Sequence, residues 1–308
     1  MRVLELLKGE RIVMKNLKVV CLSILFVFVV GNVYLMAGHG HHKKEKKVGI
    51  LLVAFGSSEE SAQVSFQNIE KMVKKKCSGI PIKWAFTSHI IRKKLARQGK
   101  RLDSPEVALA KMIDEGFTHV ALQSLHTIGG AEYHHLRRTV SAFQNMHAFE
   151  RIILGYPLLS TQKDIERVVD AIITNIPKER KKGEAVVLMG HGTHHPSNAF
   201  YSALNFQIQL RDPNVFMGTV EGYPEIDLVK SMLLKKKIKK AYLMPFMSVA
   251  GDHAKNDMAG GEPDSWKSIL TSAGITCMPI LKGTAEYDNY VAIWVDHLQM
   301  VLRHFSHK

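Results

Sequence analysis

The chain has 308 residues, a hydrophobic share of 46% and a formal net charge of +14. That length holds one large domain or two of ordinary size, and that apolar share excludes an intrinsically disordered chain. The basic surplus is scattered in short runs, KKEKK (43–47), Lys74 to Lys76, KERKK (178–182) and KKKIKK (235–240). No zinc-finger spacing, RNP-like aromatic motif or helix-turn-helix accompanies them, so anionic partners are expected but nucleic acid is not.

At the start, Lys15 and Lys18 precede an apolar run from Val19 to Ala37 that closes on the small residues Ala37 and Gly38. This order is that of a secretory signal, 1–38, with Met14 as an alternative start. The run is also about long enough to span a bilayer, at roughly 20 residues, so an uncleaved anchor is the competing reading. Export, most simply to a periplasm, is therefore expected, followed by a His/Lys-rich tail at 39–47. Cleavage would leave Cys77 and Cys277, one in each half of the chain, expected as two separate thiols.

From Val48 to Phe55 the chain is continuously apolar, as in a strand buried on both faces. Gly56, Ser57 and Ser58 turn it into a helix, with Ser58 as a candidate cap. Ile82–Thr87 is a second strand, Val107–Glu115 a helix, and Val120–Leu125 a third strand ending in IGGAE (128–132). A helix at 134–147, a strand from Ile152 and a helix over Asp164–Asn175 complete a first half, 48–178. The second half, 179–308, repeats the order. Its strands are Ala185–Met189, Val215–Val220, Ala241–Phe246 and Thr276–Ile280. Its helices are Asn198–Leu210, Ile226–Leu234, Trp266–Ala273 and Asn289–Phe305. Alternating strands and helices predict an α/β fold of two similar Rossmann-like halves, each with a parallel sheet flanked by helices. Ligands of such sheets bind at the carboxyl ends of the strands, here in a cleft between the halves.

Laid over each other, the halves match Phe55 to His191, Ser88 to Glu221 and Glu132 to His253. Only the second copy thus carries chemistry at all three strand ends. Two neutral imidazoles suit a borderline divalent ion such as cobalt, nickel, zinc or ferrous iron, and Glu221 beside them could accept protons. Metal insertion into a macrocycle with pyrrole N–H groups needs both, a metal holder and a base. General base assistance is typically worth about 10²–10⁴-fold. Phe55, Ser57, Ser88 and Glu132 are the candidate substrate-contacting residues of the first wall, Ser57 through an anion-binding GSS turn. His134 and His135 could bind a second ligand, line the same cleft or belong to the next helix. HGTHH (191–195) also reads as a surface histidine cluster, and the GHGHH tail (38–42) as a metal scavenger or plain linker.

Several motifs together resemble the anaerobic cobalt chelatases that act on sirohydrochlorin. They are VAFGSS (53–58), FTSHIIRKKL (86–95), LQSLHTIGGAEY (122–133), LMGHGTHH (188–195), VEGYPEID (220–227) and PFMSVAGDHAKNDMAG (245–260). The resemblance runs from about Val48 to the last helix. It implies a class II, ferrochelatase-like chelatase that inserts Co²⁺, and in some members Fe²⁺, without ATP, so that no nucleotide is needed. It also implies His191 and His253 as the catalytic, metal-binding histidines, with Glu221 the acidic residue of the site. The export signal departs from the family's cytoplasmic biosynthetic role. A non-enzymatic reading stands beside it: an exported protein binding metal, haem or another tetrapyrrole, in which His134, His135 and the tail matter most. A homo-oligomer is a further expectation.

Overall fold

Two four-stranded parallel sheets with the same strand order carry the molecule. The structure, a computed structural model, describes residues 45–306. The segment read as a secretory signal, with Met14, and the tail through residue 44 lie outside the described residues. No helix among the described residues is long and apolar enough to cross a membrane.

The first sheet is built from β1 (Val48–Ala54), β2 (Ile82–Phe86), β3 (His119–Ser124) and β4 (Arg151–Gly155), in the order β2-β1-β3-β4. The second is built from β5 (Ala185–Gly190), β6 (Val215–Thr219), β7 (Lys240–Pro245) and β8 (Thr276–Pro279), in the order β6-β5-β7-β8. The central strands β1, β3 and β5 bury nearly every residue, which is why they read as unbroken apolar runs rather than alternating ones.

The crossovers and flanks are α1 (Gln63–Lys76), α2 (His89–Arg97), α3 (Pro105–Asp114), α4 (Ala131–Asn145), α5 (Gln162–Asn175), α6 (Ala199–Arg211), α7 (Ile226–Lys235), α8 (Trp266–Ser272) and α9 (Asp288–Arg303). Local chemistry sets several starts. Thr161 and Asp164 form a capping box at α5, Ser104 caps α3 with Pro105 in its first turn, and Ser265 caps α8; each satisfies an N–H that the helix itself leaves unpaired. α2 was not anticipated from the sequence. It is short, its only buried side chain is Leu95, and Ile90 is exposed. Ser58 was expected to cap the helix after β1, but Ser57 Oγ takes the Glu59 N–H instead, at 3.1 Å. The chain then makes a 3₁₀ turn, Glu60–Ala62, before α1.

The halves share one core. Ile50, Leu52 and Ala121 of the first sheet and Val186, Met217 and Tyr242 of the second belong to a single apolar cluster with Trp294 and Val295 of α9. Although it follows β8, α9 packs on β3, β4 and α5 of the first half. There His297 places Nε2 3.0 Å from Asp164 Oδ1 and Nδ1 3.2 Å from the Tyr156 carbonyl, buried. Around the rim Asn68 donates to the Ala285 carbonyl at 3.0 Å and to Asp288 at 3.1 Å. Lys255 reaches Glu59 at 2.5 Å. These links hold the carboxyl ends of the two sheets in a fixed relation. Cys77 and Cys277 are both free thiols, as expected.

Candidate active site

The carboxyl ends of the two sheets are built on the same backbone scheme, and the scheme shows which residues correspond. In the first half Thr87 N–H donates to the Ala54 carbonyl at 2.9 Å and Ser88 N–H to Phe55 at 3.1 Å. In the second, Val220 N–H donates to Gly190 at 3.1 Å and Glu221 N–H to His191 at 2.8 Å. Likewise His134 N–H reaches the Gly130 carbonyl at 3.0 Å, and Lys255 N–H reaches Gly251 at 3.1 Å. Phe55 and His191, Ser88 and Glu221, and Glu132 and His253 are therefore equivalent positions.

His191 and His253 meet. Their ring centroids are 4.8 Å apart and the planes cross at 87°. His191 Nδ1 lies 3.0 Å from the Gly192 carbonyl, and His253 Nδ1 lies 2.5 Å from Asp257 Oδ2. A carbonyl and a carboxylate only accept, so both Nδ1 atoms carry a proton, and the Nδ1–H tautomer is the one that leaves Nε2 for a metal ion. Glu221 Oε2 is 3.9 Å from His191 Nδ1, beyond hydrogen-bond range, which leaves its carboxylate uncommitted. The three side chains do not close into a cage: among the described residues, no group of three or more His, Cys, Asp or Glu could hold a metal ion as it stands. All three are partly open to solvent.

Local packing fixes these positions. Tyr201 is buried beneath the end of β5, and a Cβ on Gly190 would come within 2.5 Å of its ring, so only glycine lets the strand lie on it. The Tyr201 phenol sits beside the backbone of His191 and Gly192, and burial pushes its pKa up to about 12. Gly192 has φ +81°, and a Cβ there would press to 2.8 Å against Gly222 N and Thr219 Cβ. The loops after β5 and β6 thus touch through glycine, a close approach that a side chain would forbid. Asn198 fastens the same two loops, accepting the Thr193 N–H at 3.1 Å and donating to the Tyr223 carbonyl at 2.7 Å. The Tyr223–Pro224 peptide is cis.

The first wall differs from expectation in detail. Phe55 is 43% exposed, an apolar face left open at the strand end. Ser57 and Ser88, expected as substrate contacts, are only 6% and 5% exposed. Ser57 Oγ takes the Glu59 N–H and would lie 3.2 Å from a Cβ on Gly251 of the other half; Ser88 Oγ caps α2 through Ile91 N–H at 3.3 Å. Both hydroxyls are committed to their own backbone. Glu132 is exposed in the first turn of α4. His134 and His135 part company: the His134 ring stands 5.0 Å from His195 of the second half, whereas His135 lies 3.5 Å from Glu106 of α3. Partial desolvation, and then the positive fields of Arg137, His195 and Arg138, hold His134 below the usual histidine pKa.

Sequence reasoning passed over His126, which stands at the end of β3 with Nδ1 2.9 Å from Ser124 Oγ and Nε2 3.5 Å from Thr87 Oγ1. Some of its surface is open, yet the enclosing protein drives its pKa down to about 4, with Glu132 pulling weakly the other way. It is a neutral ring in the first wall. Its only sequence signal was a histidine directly after a buried strand.

With this geometry in view, the family is settled by comparison. A family model described as Cobalt chelatase (CbiK) matches residues 48–303. The chain belongs to the cobalt chelatase family. The sirohydrochlorin cobaltochelatase of Nitratidesulfovibrio vulgaris is 44% identical over 257 residues, covering 83% of this chain and 91% of that one. The sirohydrochlorin cobaltochelatase of Salmonella typhimurium is 38% identical over 258 residues, covering 83% and 97%. Among solved structures, SirB from Bacillus subtilis with Fe³⁺ superimposes with a TM-score of 0.58 at 16% identity, covering 84% of this chain and 97% of its own. CbiX, described as the terminal enzyme of sirohaem biosynthesis in denitrifying bacteria, gives 0.52 at 13%, covering 82% and 98%. At such identities these two show a shared chelatase fold.

The His126 environment gives a pH dependence of stability. Its folded pKa lies below the ordinary 6.5, so the unfolded chain binds the extra proton first. The contribution is complete above pH 6.5 and is lost as pH falls toward 4. At about 1.4 kcal/mol per pH unit, it amounts to up to about 3 kcal/mol. Urea titrations between pH 4 and 6.5 should show a flatter stability profile for His126→Gln than for the unaltered protein; identical slopes would contradict the neutral assignment.

Proposed function

We propose that the protein is a sirohydrochlorin cobaltochelatase, inserting Co²⁺ into the macrocycle held between the two strand-end walls. The observation that carries this is the pair of crossed imidazoles, His191 and His253, each with Nδ1 hydrogen-bonded and Nε2 free. Imidazole nitrogen binds divalent cobalt well. Two ligands without a third leave open coordination positions, as suits an ion that must be handed on rather than kept. Ferrous iron fits the same donors.

Insertion exchanges one divalent ion for two pyrrole protons. Glu221, on the neighbouring strand end with its carboxylate exposed and 3.9 Å from His191 Nδ1, is the group we assign to receive them one at a time, passing each to solvent. Its position, level with the metal ligands, follows from β6 running parallel beside β5. Phe55 offers an apolar face to the ring on the opposite wall, and Arg137 and Arg138, whose fields already act on His134, favour the substrate's carboxylates. No step of this exchange calls for a nucleotide. Relatives covering 83% of the chain are enzymes by name, which favours an enzyme over an exported haem or metal carrier.

We also infer export, from the basic, apolar and small-residue order at 15–38. Terminal sequencing of the protein from fractionated cells should find a mature start near His39 outside the cytoplasm. An intact Met1 or Met14 start in the cytoplasmic fraction would contradict it.

For the chemistry, the purified protein should convert sirohydrochlorin and Co²⁺ to the cobalt complex, followed by the absorbance of the macrocycle. His191→Ala and His253→Ala should each abolish detectable insertion, and Glu221→Gln should slow it by about 10²–10⁴-fold with unchanged melting temperature. Activity retained by both histidine variants would overturn the assignment.

A further inference from the structure

Asp257 has no part in the exchange just described, yet its carboxylate lies 2.5 Å from His253 Nδ1. The segment that carries it is unusual. After β7 the chain turns through Asp252 and His253 into a one-turn π-helix, Ala254–Met258, a widened turn that recurs where backbone is reshaped for function. Ala254 and Met258 are buried and anchor the turn in the core. Lys255, on the same turn, is tied to Glu59 of the first half at 2.5 Å, and Asn256 bonds Asp252 at 2.9 Å. Held at both sides, the turn presents Asp257 directly to His253.

The duplication sharpens the contrast. Glu132 occupies the position of His253 in the first half, and four residues further on stands Leu136, fully buried in a regular α4. Where one copy continues as a packing helix, the other opens into a π-turn and places a carboxylate. Nothing in the fold of α4 requires a charge there; a ring that must be aimed does.

We propose that Asp257 is a positioning residue for metal capture. Its carboxylate takes the Nδ1–H of His253, fixes the tautomer and orientation that leave Nε2 to the incoming ion, and raises the donor strength of the ring. Within hydrogen-bond distance His191 Nδ1 has only the neutral Gly192 carbonyl, with the Glu221 carboxylate farther off at 3.9 Å, so the two histidines are unequal, with His253 the stronger donor. Carboxylates that orient a ligating histidine typically account for about 10–100-fold in metal affinity. The inference rests on the reading of His253 as a metal ligand.

The test is Co²⁺ binding to the purified protein without macrocycle, by calorimetry and by the visible cobalt absorption, together with KM for Co²⁺ and kcat. Asp257→Ala should weaken Co²⁺ binding by about 10–100-fold and raise KM for Co²⁺ by a similar factor, with kcat at saturating metal changed little. Asp257→Asn, nearly the same shape with a neutral acceptor, should recover part of the affinity and controls for folding. Unaltered Co²⁺ affinity in both Asp257 variants, while His253→Ala loses it, would overturn the positioning role and leave the ligand assignment standing. Unaltered affinity in His253→Ala would instead remove the ligand reading itself.

Discussion

Parallel pairing of β5 with its two neighbours is the constraint on which the site depends. In a parallel sheet all strands end on one side, so residues just past β5, β6 and β7 must share one surface. The register then sets their heights. Glu221 N–H bonds the His191 carbonyl, which makes these two residues neighbours through the backbone before any side chain is considered. His253 arrives from the loop beyond β7, and its ring closes on His191 at 4.8 Å. The sheet and that loop thus bring His191, Glu221 and His253 together from three points of the chain.

The second half has been adapted around that ladder, whereas the first keeps it without the chemistry. Gly190 and Gly192 let the β5 end lie on Tyr201 and touch the loop after β6. At the matching points of the first half stand Phe55, which is exposed, and Ser88, which is bound to its own helix. The shared core and α9, laid back across the first sheet, hold the two walls together.

Much of this was legible in the sequence. Unbroken apolar runs marked the buried strands, and the repeat placed His191, Glu221 and His253 at matching strand ends because the parallel register preserves that correspondence. What escaped lacked a periodic signal. α2 is a short helix that buries only Leu95. Asp257 stood four residues after His253, the spacing of a shared helical face, but its turn is a π-helix that no pattern announces. Ser57 and Ser88 read as substrate contacts because a sequence does not show that their hydroxyls cap their own backbone. The parting of His134 toward His195 and of His135 toward Glu106 depends on which face of α4 meets the second half, a tertiary fact.

The central claim is that one divalent ion is received by the Nε2 atoms of two histidines from a single copy of the duplicated fold. Anomalous diffraction at the cobalt edge from crystals soaked in Co²⁺ tests it most directly. It should locate one ion between His191 and His253, about 2.0–2.1 Å from each Nε2 as for other imidazole-bound divalent metals, with Glu221 facing it. A fully occupied ion at His134 and His195, with the space between His191 and His253 left without one, would contradict it.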